Sequence, residues 1–213
     1  MPGIDVASLI IAILVLLISL TVHEMAHAWT ADRLGDPTAR HLGRVSLNPI
    51  VHIDPIGTLV FPLLGILSGL PVIGWAKPVP VNVARLRRHR RDYVLVAAAG
   101  PASNLGLAVV AGAALQLLSL DMAGVGRLEA MALPVALAER TVQINVLLAV
   151  FNMLPIPPLD GGTVLAGVLP RRFAQVVDGL RSYGFVLLYA LMLTGTLYRL
   201  ILPPYRVLVS WLL

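Results

Sequence analysis

The sequence predicts an all-α polytopic membrane protein, one domain over residues 1–213, with about four to six transmembrane helices, a re-entrant loop and a short extended strand. Three observations predict it. First, 58% of the residues are hydrophobic and only 13% charged, against about 25% charged in a soluble domain, and mean hydropathy is +0.86. Second, several apolar runs approach the roughly 20 residues that a spanning helix needs. Third, 18 Gly and 16 Pro are many for a helical chain. In membrane helices such residues mark breaks that are tolerated where backbone is buried in protein or lines a cavity. The net charge of +5 comes mostly from clustered arginines, which read as cytosolic loops and not as nucleic-acid contacts. Cysteine is absent, so disulfides and thiolate metal sites are excluded, and any metal must use His and carboxylate ligands. The N-terminal run lacks a basic leader and a small-residue cleavage site, so it is expected to be retained.

The elements follow in order. An apolar helix is expected over residues 6–31, its last turns carrying His23, Glu24 and His27. A polar connection with Gly and Pro punctuation follows. Residues 56–74 are apolar but interrupted by Pro62, Gly65, Gly69, Pro71 and Gly74, which favours a re-entrant hairpin. In "KPVPVNV" the alternate prolines bar a helix and favour extended backbone. A basic cluster, "ARLRRHRRD", precedes a helix over 93–120. Residues 121–140 read as a connection of mixed charge. A further apolar stretch over 141–154 breaks at "PIPPLDGG" and resumes to 169. Arginines 171, 172 and 181 mark another basic connection, and the run 183–213 is expected to break at Pro203 and Pro204. The basic connections at 77–91 and 171–181 orient those loops toward the cytosol.

The chemistry starts from "HEMAH". A spacing of four on a helix stacks His23 above His27 on one face, so both imidazoles can bind one zinc ion. Glu24 lies beside the metal, where a general base on water is needed. The bland alternative is a polar helix–helix contact, but ionisable groups within a span are costly and usually functional. A catalytic zinc takes three protein ligands and one water. The position six residues after His27, where an extended motif has a third His, is Arg33. The third ligand is therefore distant in sequence. Two carboxylates lie at a compatible depth, Asp160 and Asp54, the latter with His52 nearby. Asp160 is favoured because its surroundings are apolar; its alternative role is a helix N-cap. Asn152 and prolines 155, 157 and 158 suggest an unwound stretch able to bind another unwound chain. His41, His52 and His89 read as solvated loop histidines.

These residues carry a resemblance. "HEMAH", "AGPASN" and "NMLPIPPLDGG" resemble the site-2 protease family of intramembrane zinc metalloproteases. "GRVSLNP", "HIDPIGT" and "GWAKPVPVN" resemble its compact prokaryotic branch, without a PDZ or CBS domain. The resemblance implies one zinc ion held by His23, His27 and Asp160, with Glu24 as catalytic base. It implies that Asn152 and Pro158 help to hold substrate, and that the strand from Trp75 to Asn82 is a membrane-embedded β-element pairing with an unwound substrate segment. The expected activity is cleavage of single-span membrane proteins within a prokaryotic plasma membrane, with the active site near the cytosolic side. The rival expectation is a zinc-binding or transport protein of the membrane without peptidase activity. Against it, the ionisable groups gather at one depth, whereas a transport path needs polar groups on both sides of the midplane.

Overall fold

The computed structural model describes residues 6–60, 74–121 and 128–213. Helix α1 (Val6–Arg33) runs unbroken because no Gly or Pro stands within it. Ser19 and Thr21 return their hydroxyls to the carbonyls of Val15 and Leu17, each at 2.7 Å. One face buries Val15, Ser19, His23, His27 and Ala31, while Ile10, Ile13, Leu14 and Ile18 are exposed. An apolar face left uncovered by the described residues suits a helix surrounded by lipid. The helix ends at Gly35, whose φ of +112° favours a residue without a Cβ.

After the short α2 (Thr38–His41), Pro49–His52 forms a 3-10 turn and Pro55–Val60 a π-helical turn. The expected re-entrant loop falls largely on residues outside the described ones. Residues 74–82 form no regular element, and no strand occurs among the described residues. Helix α3 (His89–Asp121) packs against α1, against α4 (Leu128–Asn152) and against α5 (Asp160–Val168), which makes it the centre of the bundle. Its core with α4 is Ala108, Ala111, Val142, Val146 and Val150.

The helices then depart from expectation in three places. Residues 128–140, expected as a connection, are the first turns of α4. Their charges at Glu139 and Arg140 belong to an exposed helix face, where Arg140 bonds Gln143 at 3.1 Å. The expected basic loop at 171–181 is helical too: α6 (Arg171–Gly179) and a 3-10 turn lead into α7 (Gly184–Leu193). Finally, the last run breaks at Gly195, whose φ is +70°, and not at Pro203 and Pro204. Both prolines lie inside α8 (Thr196–Leu212). The stripe Ile201, Tyr205, Leu208 and Leu212 packs onto the α3–α4 core and carries the helix past the two lost N–H groups. Among the described residues, four helical stretches are long and apolar enough to cross a membrane: Val6–Arg33, His89–Leu118, Met131–Asn152 and Arg171–Leu193.

Candidate metal centre

Helix α1 delivers His23 and His27 from one face, both buried. Their Nε2 atoms stand 3.0 Å apart, with the rings edge to face at 84°. Asp160 arrives on the first turn of α5, its Oδ2 3.2 Å from His23 Nε2 and 3.4 Å from His27 Nε2. It is not the N-cap, which is Leu159, so its side chain is free for the imidazoles. Gly162 lets α5 start hard against the preceding turn, since a Cβ there would stand 2.6 Å from Pro157 N.

What lies behind the two imidazoles sets which nitrogen carries the proton of a neutral ring. His27 Nδ1 donates to Val96 O at 2.7 Å, and His23 Nδ1 donates to Asn104 Oδ1 at 2.6 Å. Neutral rings so arranged turn a bare lone pair toward each other at Nε2. The third member, Asp160 Oδ2, is buried with no hydrogen-bond donor. With both rings neutral, three acceptor atoms converge on one point, an arrangement that suits a cation. Among the described residues, His23, His27 and Asp160 form a group whose ligand atoms all lie within 4.8 Å of one another. Gly100 keeps that point open: a Cβ there would stand 2.5 Å from His23 Nε2 and overlap His27 Nε2 as well. Two histidines and a carboxylate suit zinc and leave a position for water.

Glu24 faces a cleft of about 470 Å³ beside this group. Its Oε2 accepts from Val79 N–H at 3.1 Å, which ties the carboxylate to residues 74–82. That segment is held along its length. Lys77 N–H donates to His52 O at 2.8 Å, Trp75 N–H to Gly57 O at 3.2 Å, and Asn82 N–H to Asp36 at 2.6 Å. Arg44 Nη2 donates to the carbonyls of Lys77 and Pro78. Burial pushes the Arg44 guanidinium below its ordinary pKa, and nearby Glu24 opposes the shift.

Of the other residues singled out from sequence, Asn152, Pro158 and Trp75 line the same cleft. Trp75 meets the Phe185 ring with centroids 5.1 Å apart. Asn82 does not reach it: its side chain caps the turn Val83–Arg85 by accepting from Ala84 N–H. Asp54 accepts from Ile56 and Gly57 N–H, so the rival third ligand is committed elsewhere. His52 is buried, not solvated, and bonds Ser46 O. Sequence reasoning missed Gly100, Asn104 and Arg44. The first two stand in "AGPASN" and the third in "GRVSLNP", stretches that were singled out without a role for any single residue.

The model of peptidase family M50 matches residues 120–193. A Bacillus subtilis protein named "Putative zinc metalloprotease YwhC" is 37% identical over 183 residues, which is 85% of this chain and 80% of that protein. The chain belongs to peptidase family M50. Two proteins named "Putative zinc metalloprotease Rip2" are also similar. The one from Mycolicibacterium smegmatis is 33% identical over 86% of this chain and 66% of its own length. The one from Mycobacterium tuberculosis is 34% identical over 85% and 66%. No solved structure matches the chain. Membership of M50, the site-2 protease family, makes the chain a zinc metalloprotease of the site-2 type.

Proposed function

We propose that this M50 member is an intramembrane endopeptidase that cleaves transmembrane segments of other membrane proteins, with one zinc ion held by His23, His27 and Asp160. The observation that carries the reading is the convergence of three acceptor ligands beside Glu24, at a cleft among apolar helices. Zinc in that place supplies a Lewis acid for water and for the scissile carbonyl. Glu24 takes a proton from the attacking water as its oxygen bonds to the carbonyl carbon. It then passes that proton to the amine as the C–N bond breaks.

A transmembrane helix buries its carbonyls in its own hydrogen bonds, so a substrate has to unwind before it is cut. Residues 74–82 are the segment along which it would lie as an added strand. The Pro78 carbonyl already accepts from Arg44, and Pro78 and Pro80 offer an incoming chain no N–H. Substrate carbonyls opposite them are left unpaired and open to attack. Asn152 and Pro158 would form the facing wall. The basic residues 85, 87, 88, 90 and 91 support a cytosolic orientation for this edge in a prokaryotic plasma membrane, from which water would have only a short path to the centre.

Glu24→Gln tests the reading. It is expected to keep a full complement of zinc and to slow cleavage by about 10²–10⁴-fold, the usual worth of a general base. Membrane proteomics comparing it with wild type would then show an uncut membrane span accumulating. Equal span populations in the two strains would defeat the proposal. A second variant probes the substrate-pairing segment. Arg44→Leu removes the charged donor to the Lys77 and Pro78 carbonyls, and is expected to reduce cleavage about tenfold with zinc content unchanged; an unaltered rate would remove Arg44 from the account.

A further inference from the structure

The two histidines of the centre are oriented by different means. His27 is held by a backbone carbonyl, that of Val96, which no side-chain change removes. His23 is held by a side chain, Asn104, and Asn104 is itself held by others. Its Nδ2 donates to Asn145 Oδ1 at 2.8 Å and to Ser19 O at 3.3 Å. Asn145 Nδ2 in turn donates to Ser19 Oγ at 2.8 Å and to Thr141 O at 2.9 Å. Ser19 Oγ–H completes the set by donating to Val15 O.

Asn104 and Asn145 are 0% exposed and Ser19 1%, so no solvent can replace a lost partner. Both N–H groups of each amide are used, and each amide oxygen accepts a bond. Turning either amide over would set its oxygen against a backbone carbonyl, Ser19 O for Asn104 and Thr141 O for Asn145, and the network therefore has one orientation. That orientation leaves only an acceptor at Asn104 Oδ1, which requires a proton on His23 Nδ1 and so puts the lone pair of the neutral ring on Nε2. The chain of bonds crosses α1, α3 and α4, the three helices that meet behind the centre.

We infer that Asn145, which touches no ligand of the centre, is a positioning residue for zinc: through Asn104, with Ser19, it fixes the tautomer and ring plane of His23. This rests on the zinc-centre reading above. Packing alone does not require it, since three helices meet as well around an apolar side chain. A ring with one lone pair aimed at a metal does require an oriented acceptor behind it.

The test uses the full chain in detergent, stripped of metal and titrated with zinc against a competing chelator. Thermal stability of the metal-free protein is measured in parallel. Asn104→Ala and Asn145→Ala are each expected to raise the zinc Kd about tenfold or more, the usual cost of losing an outer-shell partner. The double variant is expected to match Asn104→Ala alone, because Asn145 acts through Asn104. Ser19→Ala, which suits a helix and removes one acceptor, should shift the Kd the same way by less, and carries the test if an asparagine variant does not fold. The Co²⁺-loaded wild type and Asn145→Ala proteins should differ in their visible d–d bands.

A merely structural role predicts lower stability of the metal-free variants with an unchanged zinc Kd and unchanged bands. That result overturns the inference, as does a double variant whose effects add. Failure of the wild-type protein itself to bind zinc would instead overturn the reading of the centre.

Discussion

Asp160→Ala is expected to abolish zinc retention and proteolysis together. Two neutral imidazoles would remain where three acceptors now converge, and the only negative charge among the ligands would be gone. Protein zinc sites bind by about 10–16 kcal/mol shared over their ligands, so losing one costs about 3 kcal/mol and at least about 10²-fold in affinity. A catalytic site with two protein ligands also loses the geometry that leaves one coordination position for water. The measurement is zinc per protein after dialysis, alongside cleavage of a membrane substrate. Asp54→Ala is the matched control: its carboxylate serves Ile56 and Gly57 N–H, and zinc content should not change. Full zinc occupancy in Asp160→Ala would remove the carboxylate from the ligand set.

Gly100→Ala should be nearly as damaging, although it adds one carbon and touches no charge. The new Cβ would stand 2.5 Å from His23 Nε2, a distance that real contacts do not reach. Either the imidazoles leave their ligating positions or α3 draws back from α1. In a helix interior Gly→Ala is worth about +1 kcal/mol of helix stability, while overpacking costs about 1–3 kcal/mol, so the protein should still fold. The expected result is a folded, metal-poor, inactive protein, read by circular dichroism and zinc analysis together. Wild-type zinc affinity in this variant would show that the methyl finds room.

Which parts of this were legible in the sequence depends on how local the signal is. "HEMAH" was readable because two ligands and a base stand within one helical turn and a half, where the 3.6-residue period alone sets their geometry. The apolar runs of α1 and α3 were readable for the same reason. The start of α4 was not, because Glu139 and Arg140 look like loop charges until one sees that the helix presents them on an exposed face. Pro203 and Pro204 misled in the opposite direction. Prolines break an isolated helix, but here the stripe from Ile201 to Leu212 binds α8 to the α3–α4 core, and the break falls at Gly195 instead.

Composition and motifs alone point to the membrane setting, the metal chemistry and a general base, since these readings rest on composition and on contacts between near neighbours in the chain. The apolar surroundings of Asp160 favoured it as ligand over its use as a cap, and the family resemblance agreed, but only the folded chain puts its Oδ2 within 3.4 Å of both imidazoles. Tertiary structure likewise decided the parts that act from behind: Gly100 opening the space, Asn104 and Asn145 orienting His23, and Arg44 holding the segment beside Glu24. His23 and Asn104 lie 81 residues apart, and Asn104 and Asn145 lie 41 apart. No periodicity spans such distances. A hydrogen bond between them exists only once three helices have packed and excluded water, and burial is what makes such a bond unique.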